Sequence, residues 1–454
     1  MNYWYKKIIG IIGFLIAFSY VIYFLVKSEV LLHLLTVLIV LFLVLVLPQL
    51  EKRVLILNLT MLLAILYMLK DSSVNNSFLT MGIRSNLPLF SIIVITPLLG
   101  ILISTGDYIQ ALKQKTNKIW NNMYLFYWWM TFSTHGLGVL LNVGSITINH
   151  QLMDVANIHN KKIVGSILNR AFITTMFWSP YFAAMALVLT NLNLQWTDVG
   201  WQALLFTFIV LVGNFFINYK DLKDEQTLKN NILNTDININ DLESSKKVGE
   251  LLFVLGSMVT ITFFLNSLFL HSMVISICIV ALIYPMVWCS IKQKFILYKA
   301  AFKSHLFIVI PNMKQELSLY LIAGLFGTVF IHSIWKDKLL EFLIGNFGDY
   351  PIAFILVVIL FIMGFALISI PPIVTVTLLS TSVDPVLFGM SIEIFALTLL
   401  FSWGAVTSIA PTTSVSSILS ARLNIPITTV SLKWNLKFFL MLIFLIPIYL
   451  SLFL

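Results

Sequence analysis

The chain has 454 residues, 59% of them hydrophobic and only 10% charged, against roughly 25% charged residues in a soluble domain. That balance excludes a water-soluble protein, and the longest polar stretch, residues 218–250, is too short and too poor in apolar side chains to bury a core of its own. The net charge of +9 sits in loops, where it orients a protein in a bilayer and implies no nucleic-acid partner.

The N-terminus, MNYWYKK before an apolar run, has the charge layout of a signal peptide. The run is long, aromatic and without a small-x-small cleavage site, so it is expected to stay as a first span. Apolar segments of spanning length lie at 8–26, 30–48, 54–69, 87–104, 121–150, 163–190, 201–218, 251–270, 272–290, 317–335, 352–379, 387–419 and 436–454. Shorter amphipathic pieces fall at 107–120, 292–310 and 336–347. Cys278 and Cys289 share one apolar segment and specify neither a disulfide framework nor a metal cluster.

Segment 121–150 is the unusual one, because His135, Gly136, Gly138, Asn142, Gly144, Ser145 and Thr147 stand where a spanning helix should be apolar. About 30 residues of helix at roughly 1.5 Å each would be about 45 Å long, well over the roughly 30 Å hydrocarbon core. Two half-length helices folded back at the glycines fit that length and bring the polar cluster to mid-membrane. Irregular backbone at that depth survives only where protein or a water-filled cavity satisfies it, which marks a site.

Positive charge supports the same reading. With Lys6 and Lys7 inside, alternate crossings place Lys52, Arg53, Lys113, Lys115 and Lys118 inside. If 121–150 returns to its own side, Lys161, Lys162 and the lysines of 292–314 are also cytoplasmic, and the loop 191–200, without Lys or Arg, is external. Segment 352–379, treated likewise, puts Arg422 and Lys433 inside. The expected fold is therefore an all-α integral membrane protein of about eleven transmembrane helices plus two re-entrant hairpins in an inverted repeat. Its expected units are an extra N-terminal span (1–29), a first half (30–218), a cytoplasmic linker (219–250) and a second half (251–454).

A shift of about 228 residues lays Gly136 on Gly364, Gly144 on Pro372 and Thr147 on Thr375. A small adjustment lays Trp178-Ser179-Pro180 over Ile409-Ala410-Pro411. Proline inside a span frees carbonyls that can bind ions or solute. With this layout the chain resembles the ion transporter superfamily, which includes divalent-anion/sodium symporters and citrate and arsenite permeases. The resemblance implies a scaffold domain that often forms a homodimer, a transport domain carrying the hairpins, and elevator-like movement. The symporters carry a Ser-Asn-Thr type signature at each hairpin tip, where this chain has Asn142-Val143-Gly144-Ser145-Ile146-Thr147 and Ser369-Ile370-Pro371-Pro372-Ile373-Val374-Thr375.

The candidate site residues follow from this layout. His135 is a carrier for a coupling proton or a neutral imidazole bonded to a neighbouring helix. Asn142, Gly144, Ser145 and Thr147, with Thr375 opposite, offer neutral groups for Na⁺ or an oxyanion, or serve as helix-packing contacts. Arg170, roughly 10 Å into its span by helix rise, would grip a carboxylate or phosphate, or snorkel to the interface. Glu393, at comparable depth from the other side, would pair with a base, bind a cation or snorkel. Ser179 and Pro180, with Pro411, Thr412, Thr413 and Ser414, form two broken-helix sites or two structural kinks. Motifs for ATP hydrolysis, zinc proteolysis, redox thiols and serine hydrolysis are absent from the sequence, so no enzyme and no organic cofactor are expected. The expectation is a multi-pass, N-terminus-inside transporter of the cytoplasmic membrane that moves a small anionic solute with H⁺ or Na⁺. The alternative is a multispan enzyme or flippase for lipid-linked glycans, against which stand the short external loops.

Overall fold

A computed structural model describes residues 3–70, 77–119, 121–154, 158, 160–230, 241–348, 350–368 and 370–454. Three apolar helices open the chain, α1 (Tyr3–Val26), α2 (Glu29–Val46) and α3 (Lys52–Met68). Their outer faces expose Val26, Leu34, Val37, Val44 and Leu63, aliphatic side chains suited to lipid. Prolines divide the next span into α4 (Ser77–Ser85), α5 (Leu87–Ile95) and α6 (Gly100–Thr105), with Pro88 in the first turn of α5 and Pro97 in the 3₁₀ turn that follows it. The amphipathic α7 (Tyr108–Ile119) leads to α8 (Met123–Leu141) and α9 (Gly144–Asp154). Then come α10 (Lys161–Trp178), α11 (Ala183–Leu192) and the long α12 (Trp196–Asn230).

The second half begins with α13 (Asp241–Leu265) and α14 (Met273–Ile291), followed by α15 (Phe295–Ser304) and the single turn α16 (Ile310–Asn312). It continues through α17 (Lys314–Ile331), α18 (Ile334–Phe347), α19 (Pro351–Leu367), α20 (Pro372–Ser382), α21 (Ile392–Ile409), α22 (Ser414–Leu423) and α23 (Trp434–Leu450). Nine stretches among the described residues are long and apolar enough to cross a bilayer, and α17 with α18, bent by 79°, makes a tenth. The eleventh expected span is α3, whose 17 residues reach only about 26 Å at the usual helical rise. The cytoplasmic linker is expected to start at 219. Helix α12 runs unbroken to Asn230, and residues 231–240 lie outside the described ones.

Segment 121–150 folds back on itself. Asn122 caps α8 by accepting from the Tyr124 and Leu125 N–H groups. At the far end Asn142 takes φ 51°, a left-handed φ that ends α8. Ser133 Oγ then donates to Asn149 Oδ1 at 2.7 Å although the two are 16 residues apart, a separation of about 24 Å in a straight helix. In the second half α19 stops at Ile368, Pro371 and Pro372 restart the chain as α20, and α19 packs against α20. Ser369 lies outside the described residues.

The two proline spans break alike. Helices α10 and α21 each have 18 residues, and α11 and α22 each have 10. Ser179 (φ −70°, ψ 124°) and Ala410 (φ −71°, ψ 123°) end the first pair in matching extended conformation. Asn193 (φ 54°) and Asn424 (φ 51°) end the second pair in left-handed conformation. The two broken spans thus match in length and in the dihedrals of both junctions.

Packing follows the same plan. Helices α8 and α9 lie on α10, α19 and α20 lie on α21, and α10 crosses α21. The second arms exchange partners, so that α9 touches α22 and α20 touches α11. Small residues permit the close approaches. A Cβ on Gly138 would lie 3.0 Å from Thr175 Cγ2, and one on Gly404 would lie 2.4 Å from Phe177 Cε1.

Candidate functional site

The tip of the first hairpin is held by its own polar groups. Ser145 is buried, its Oγ donates to the Asn142 carbonyl at 2.8 Å, and its carbonyl accepts from Asn149 Nδ2 at 2.9 Å. Asn149 in turn accepts from Ser133, which closes the clasp between α8 and α9. Gly144 stands exposed at the tip beside the partly exposed Asn142, and Thr147 is partly exposed one turn on.

His135 lies on α8 at the junction with α10. Its Nε2 is 3.0 Å from Trp178 Nε1 and its Nδ1 is 3.0 Å from Thr174 Oγ1. Indole N–H is a donor only, so Nε2 must accept and Nδ1 must carry the proton. Thr174 Oγ1 passes its own hydrogen to the Ala171 carbonyl at 2.8 Å. Every hydrogen in this chain is assigned with the imidazole neutral. The Trp178 carbonyl accepts from Trp196 Nε1 at 2.7 Å, which ties α8, α10 and the start of α12 together.

The two breaks differ in exposure. Ser179, Pro180, Tyr181 and Phe182 are all buried, and Tyr181 Oη lies 2.7 Å from Thr262 Oγ1 on α13. In the other break Thr412 and Ser414 are exposed and Pro411 and Thr413 partly so. Thr413 Oγ1 caps α22 by accepting from the Ser416 N–H at 3.3 Å. Ser417, Ala421 and Arg422 continue the exposed stripe along α22. Glu316, near the start of α17, is exposed in the same space and accepts from Ser414 Oγ at 3.2 Å.

Arg170 sits elsewhere. It is 1% exposed, donating from Nε to Asn435 Oδ1 at 2.9 Å, from Nη1 to Asn214 Oδ1 at 3.0 Å and Asn218 Oδ1 at 3.4 Å, and from Nη2 to the Trp434 carbonyl at 2.6 Å. The guanidinium neither snorkels nor stays free for a solute; it joins α10 to α12 and α23. Glu393 also departs from expectation. Its helix begins at Ile392 behind the Ser391 cap, so Glu393 occupies the first turn of α21 and not a position several residues into the span. Thr375 is buried with its hydroxyl donating to the Pro372 carbonyl of its own helix at 2.9 Å.

The fold has a solved counterpart. The chain superposes on the crystal structure of the Alcanivorax borkumensis YdaH transporter, described as having an unusual topology, with a TM-score of 0.59 and 14% identity over 82% of this chain and 87% of that one. The likeness is one of fold. No protein-family model matches the chain, and no curated protein is similar to it in sequence.

Two side chains enter the site that sequence reasoning passed over. Glu316 stands two residues after Lys314 in what reads as a cytoplasmic edge, and only the contact with Ser414 places it against the break. Asn169 was overshadowed by its charged neighbour. Its amide donates to the Ser408 carbonyl at 3.3 Å, two residues before the second break, while its Oδ1 is buried without a donor. The signal available in the sequence was an uncharged amide in the middle of an apolar run. Among the described residues no three His, Cys, Asp or Glu side chains converge as a metal site would require.

Proposed function

We propose that this protein is a secondary active transporter that carries a small anionic solute with Na⁺ or H⁺, its site lying between two re-entrant hairpins and two proline-broken helices of an inverted repeat. The supporting observation is the exchanged packing of the second arms, α9 on α22 and α20 on α11, around the crossing of α10 and α21. Broken helices placed among hairpins put unpaired N–H and C=O groups beside one another at mid-span, where they replace the hydration of an ion or a solute. The fold likeness to a transporter structure agrees with this reading.

Within the site, Asn142, Gly144, Thr147, Thr412, Thr413 and Ser414 are the proposed solute contacts. Glu316 is the proposed carrier of the coupling cation, because an exposed carboxylate beside Ser414 binds Na⁺ or takes up H⁺ without a change elsewhere. Asn169 Oδ1 adds a neutral oxygen. Ser179 and Pro180 would take the corresponding role in the opposite state, and His135, Ser145 and Thr375 hold the frame. Arg170 and Glu393 are placed outside the contact set. The setting is the cytoplasmic membrane with the N-terminus inside, which puts the exposed break toward the cytoplasm; a homodimer through the scaffold remains part of the proposal.

The experiment is flux in proteoliposomes, with radiolabelled succinate, citrate and inorganic phosphate offered singly under imposed Na⁺ and H⁺ gradients. Uptake of at least one, abolished by collapse of one gradient and by Glu316→Gln, is expected. Gradient-independent uptake, or uptake unaltered by Glu316→Gln and by Ser414→Ala together, would defeat the assignment.

A further inference from the structure

Beyond the dry break lies a cavity. It has a volume of about 240 Å³, where a single water needs roughly 15 Å³. Pro180 at the break, Thr190 on α11, Pro88 on α5 and the loop residues Asn193, Gln195 and His271 are among its lining. The loop residues come from the connections joining α11 to α12 and α13 to α14, tied by Gln195 Nε2 donating to the His271 carbonyl at 3.4 Å. Both loops turn through left-handed residues, Asn193 at φ 54° and His271 at φ 46°.

Each element of this cavity has a counterpart on the open side. Pro180 corresponds to Pro411 and Asn193 to Asn424 by the matching breaks and ends of the two spans. Helix α5 packs against α11, and α17 meets the start of α22 through the Ser414–Glu316 hydrogen bond. The stripe that is exposed as Ser414, Ser417 and Ala421 in one half appears in the other as Ala183, Ala186 and Thr190, of which only Thr190 is exposed. The turn Ser179–Phe182, whose Pro180 lines the cavity, is buried, and Tyr181 Oη lies 2.7 Å from Thr262 Oγ1.

We infer that this cavity is the external mouth of the permeation path, closed at Pro180 and Tyr181 in the present conformation, and that it receives the same anionic solute when the opposite face opens. This rests on the transport reading above. The lining chemistry suits that class. Thr190, Asn193, Gln195, His271 and Ser272 line the cavity between apolar side chains such as Phe24, Met185 and Leu189, and no carboxylate does, so an anion meets donors without a repelling charge. Opening requires only that the first break adopt the exposure already seen in the second, which exchanges the states of two equivalent elements.

Thiol labelling tests it, helped by the burial of both native cysteines. Thr190→Cys and, as a control on the same surface but outside the cavity, Thr197→Cys are placed in proteoliposomes and treated with a membrane-impermeant sulfonated thiol reagent from the external side. Both are expected to label. Labelled Thr190→Cys should lose at least tenfold in flux of whichever of succinate, citrate or phosphate the unlabelled protein moves, and that solute should slow its labelling; labelled Thr197→Cys should keep its flux. Labelling of Thr190→Cys only from the internal side, or complete labelling with flux intact, overturns the mouth while leaving the transport reading in place. No flux of any of the three in the parent protein overturns the transport reading and the mouth with it.

Discussion

Arg170 offers the sharpest test of where the site ends. Four acceptors surround it, the Oδ1 atoms of Asn214, Asn218 and Asn435 and the carbonyl of Trp434. Interhelical hydrogen bonds between membrane helices contribute about 0.6 kcal/mol each on average and at most about 1.7, so four together stabilise by roughly 2–7 kcal/mol. Arg170→Met removes all four and also relieves the cost of burying a cation, which leaves a net loss of about 2–4 kcal/mol. An ammonium carries three donors against the five of the guanidinium, so Arg170→Lys keeps the charge and loses one or two contacts, about 1–3 kcal/mol. Reversible unfolding in mixed detergent micelles reads these differences, and solute binding to the surviving folded fraction reads the site. Arg170→Met within about 0.5 kcal/mol of the parent, coupled with lost solute binding, would refute the structural assignment and return Arg170 to the contact set.

Four other outcomes are expected. Glu316→Gln should reduce gradient-driven flux at least tenfold while leaving the unfolding midpoint unchanged, since its partner Ser414 keeps water as an alternative; equal losses in both measurements would place Glu316 in the frame instead. His135→Leu should lower stability by roughly 1–2 kcal/mol through the orphaned Trp178 N–H, with the shape of the flux profile between pH 5 and 8 unaltered; disappearance of a titration step would make His135 the proton carrier. Gly404→Ala drives a methyl into the Phe177 ring and should cost about 1–3 kcal/mol as overpacking, with Gly256→Ala, which meets nothing, as the silent control. The Asp107 carboxyl is held below its ordinary 3.8 by the hydrogen bond and charge of Lys294. Its contribution is present above the ordinary aspartate value and fades as the pH falls through the lower folded value, so Asp107→Asn should cost no more than the ~1 kcal/mol of an exposed pair at neutral pH and nothing in strong acid.

Much of this layout is legible because apolar spans announce themselves and because glycine, proline and asparagine interrupt them where the backbone must leave the helix. Pro180 and Pro411 mark breaks whose dihedrals agree, and Asn142 with Gly144 marks the turn of the first hairpin. Side-chain direction is another matter. Arg170 looks available in a linear reading because the three asparagines that saturate it come from α12 and α23, up to 265 residues away. Glu316 looks like an interfacial charge because its contact with Ser414 spans 98 residues. Position along a helix also depends on where the helix starts, and the Ser391 cap puts Glu393 in the first turn of α21.

The bond from Trp178 to His135 and the one from Trp196 to Trp178 have a mechanical consequence. Directional contacts lock the first hairpin, α10 and the head of α12 into one piece, so that whatever unseals Tyr181 must carry that hairpin along. The second hairpin leans on stacked rings, Phe354 lying 3.8 Å from Phe388 and 6.4 Å from Phe395, and its second arm is tied across to α11 by Asn191 Nδ2 donating to Ser380 Oγ at 2.8 Å. The two hairpins, alike in outline, are thus fastened to different partners, one to α10 of its own half and the other across to α11 of the opposite half.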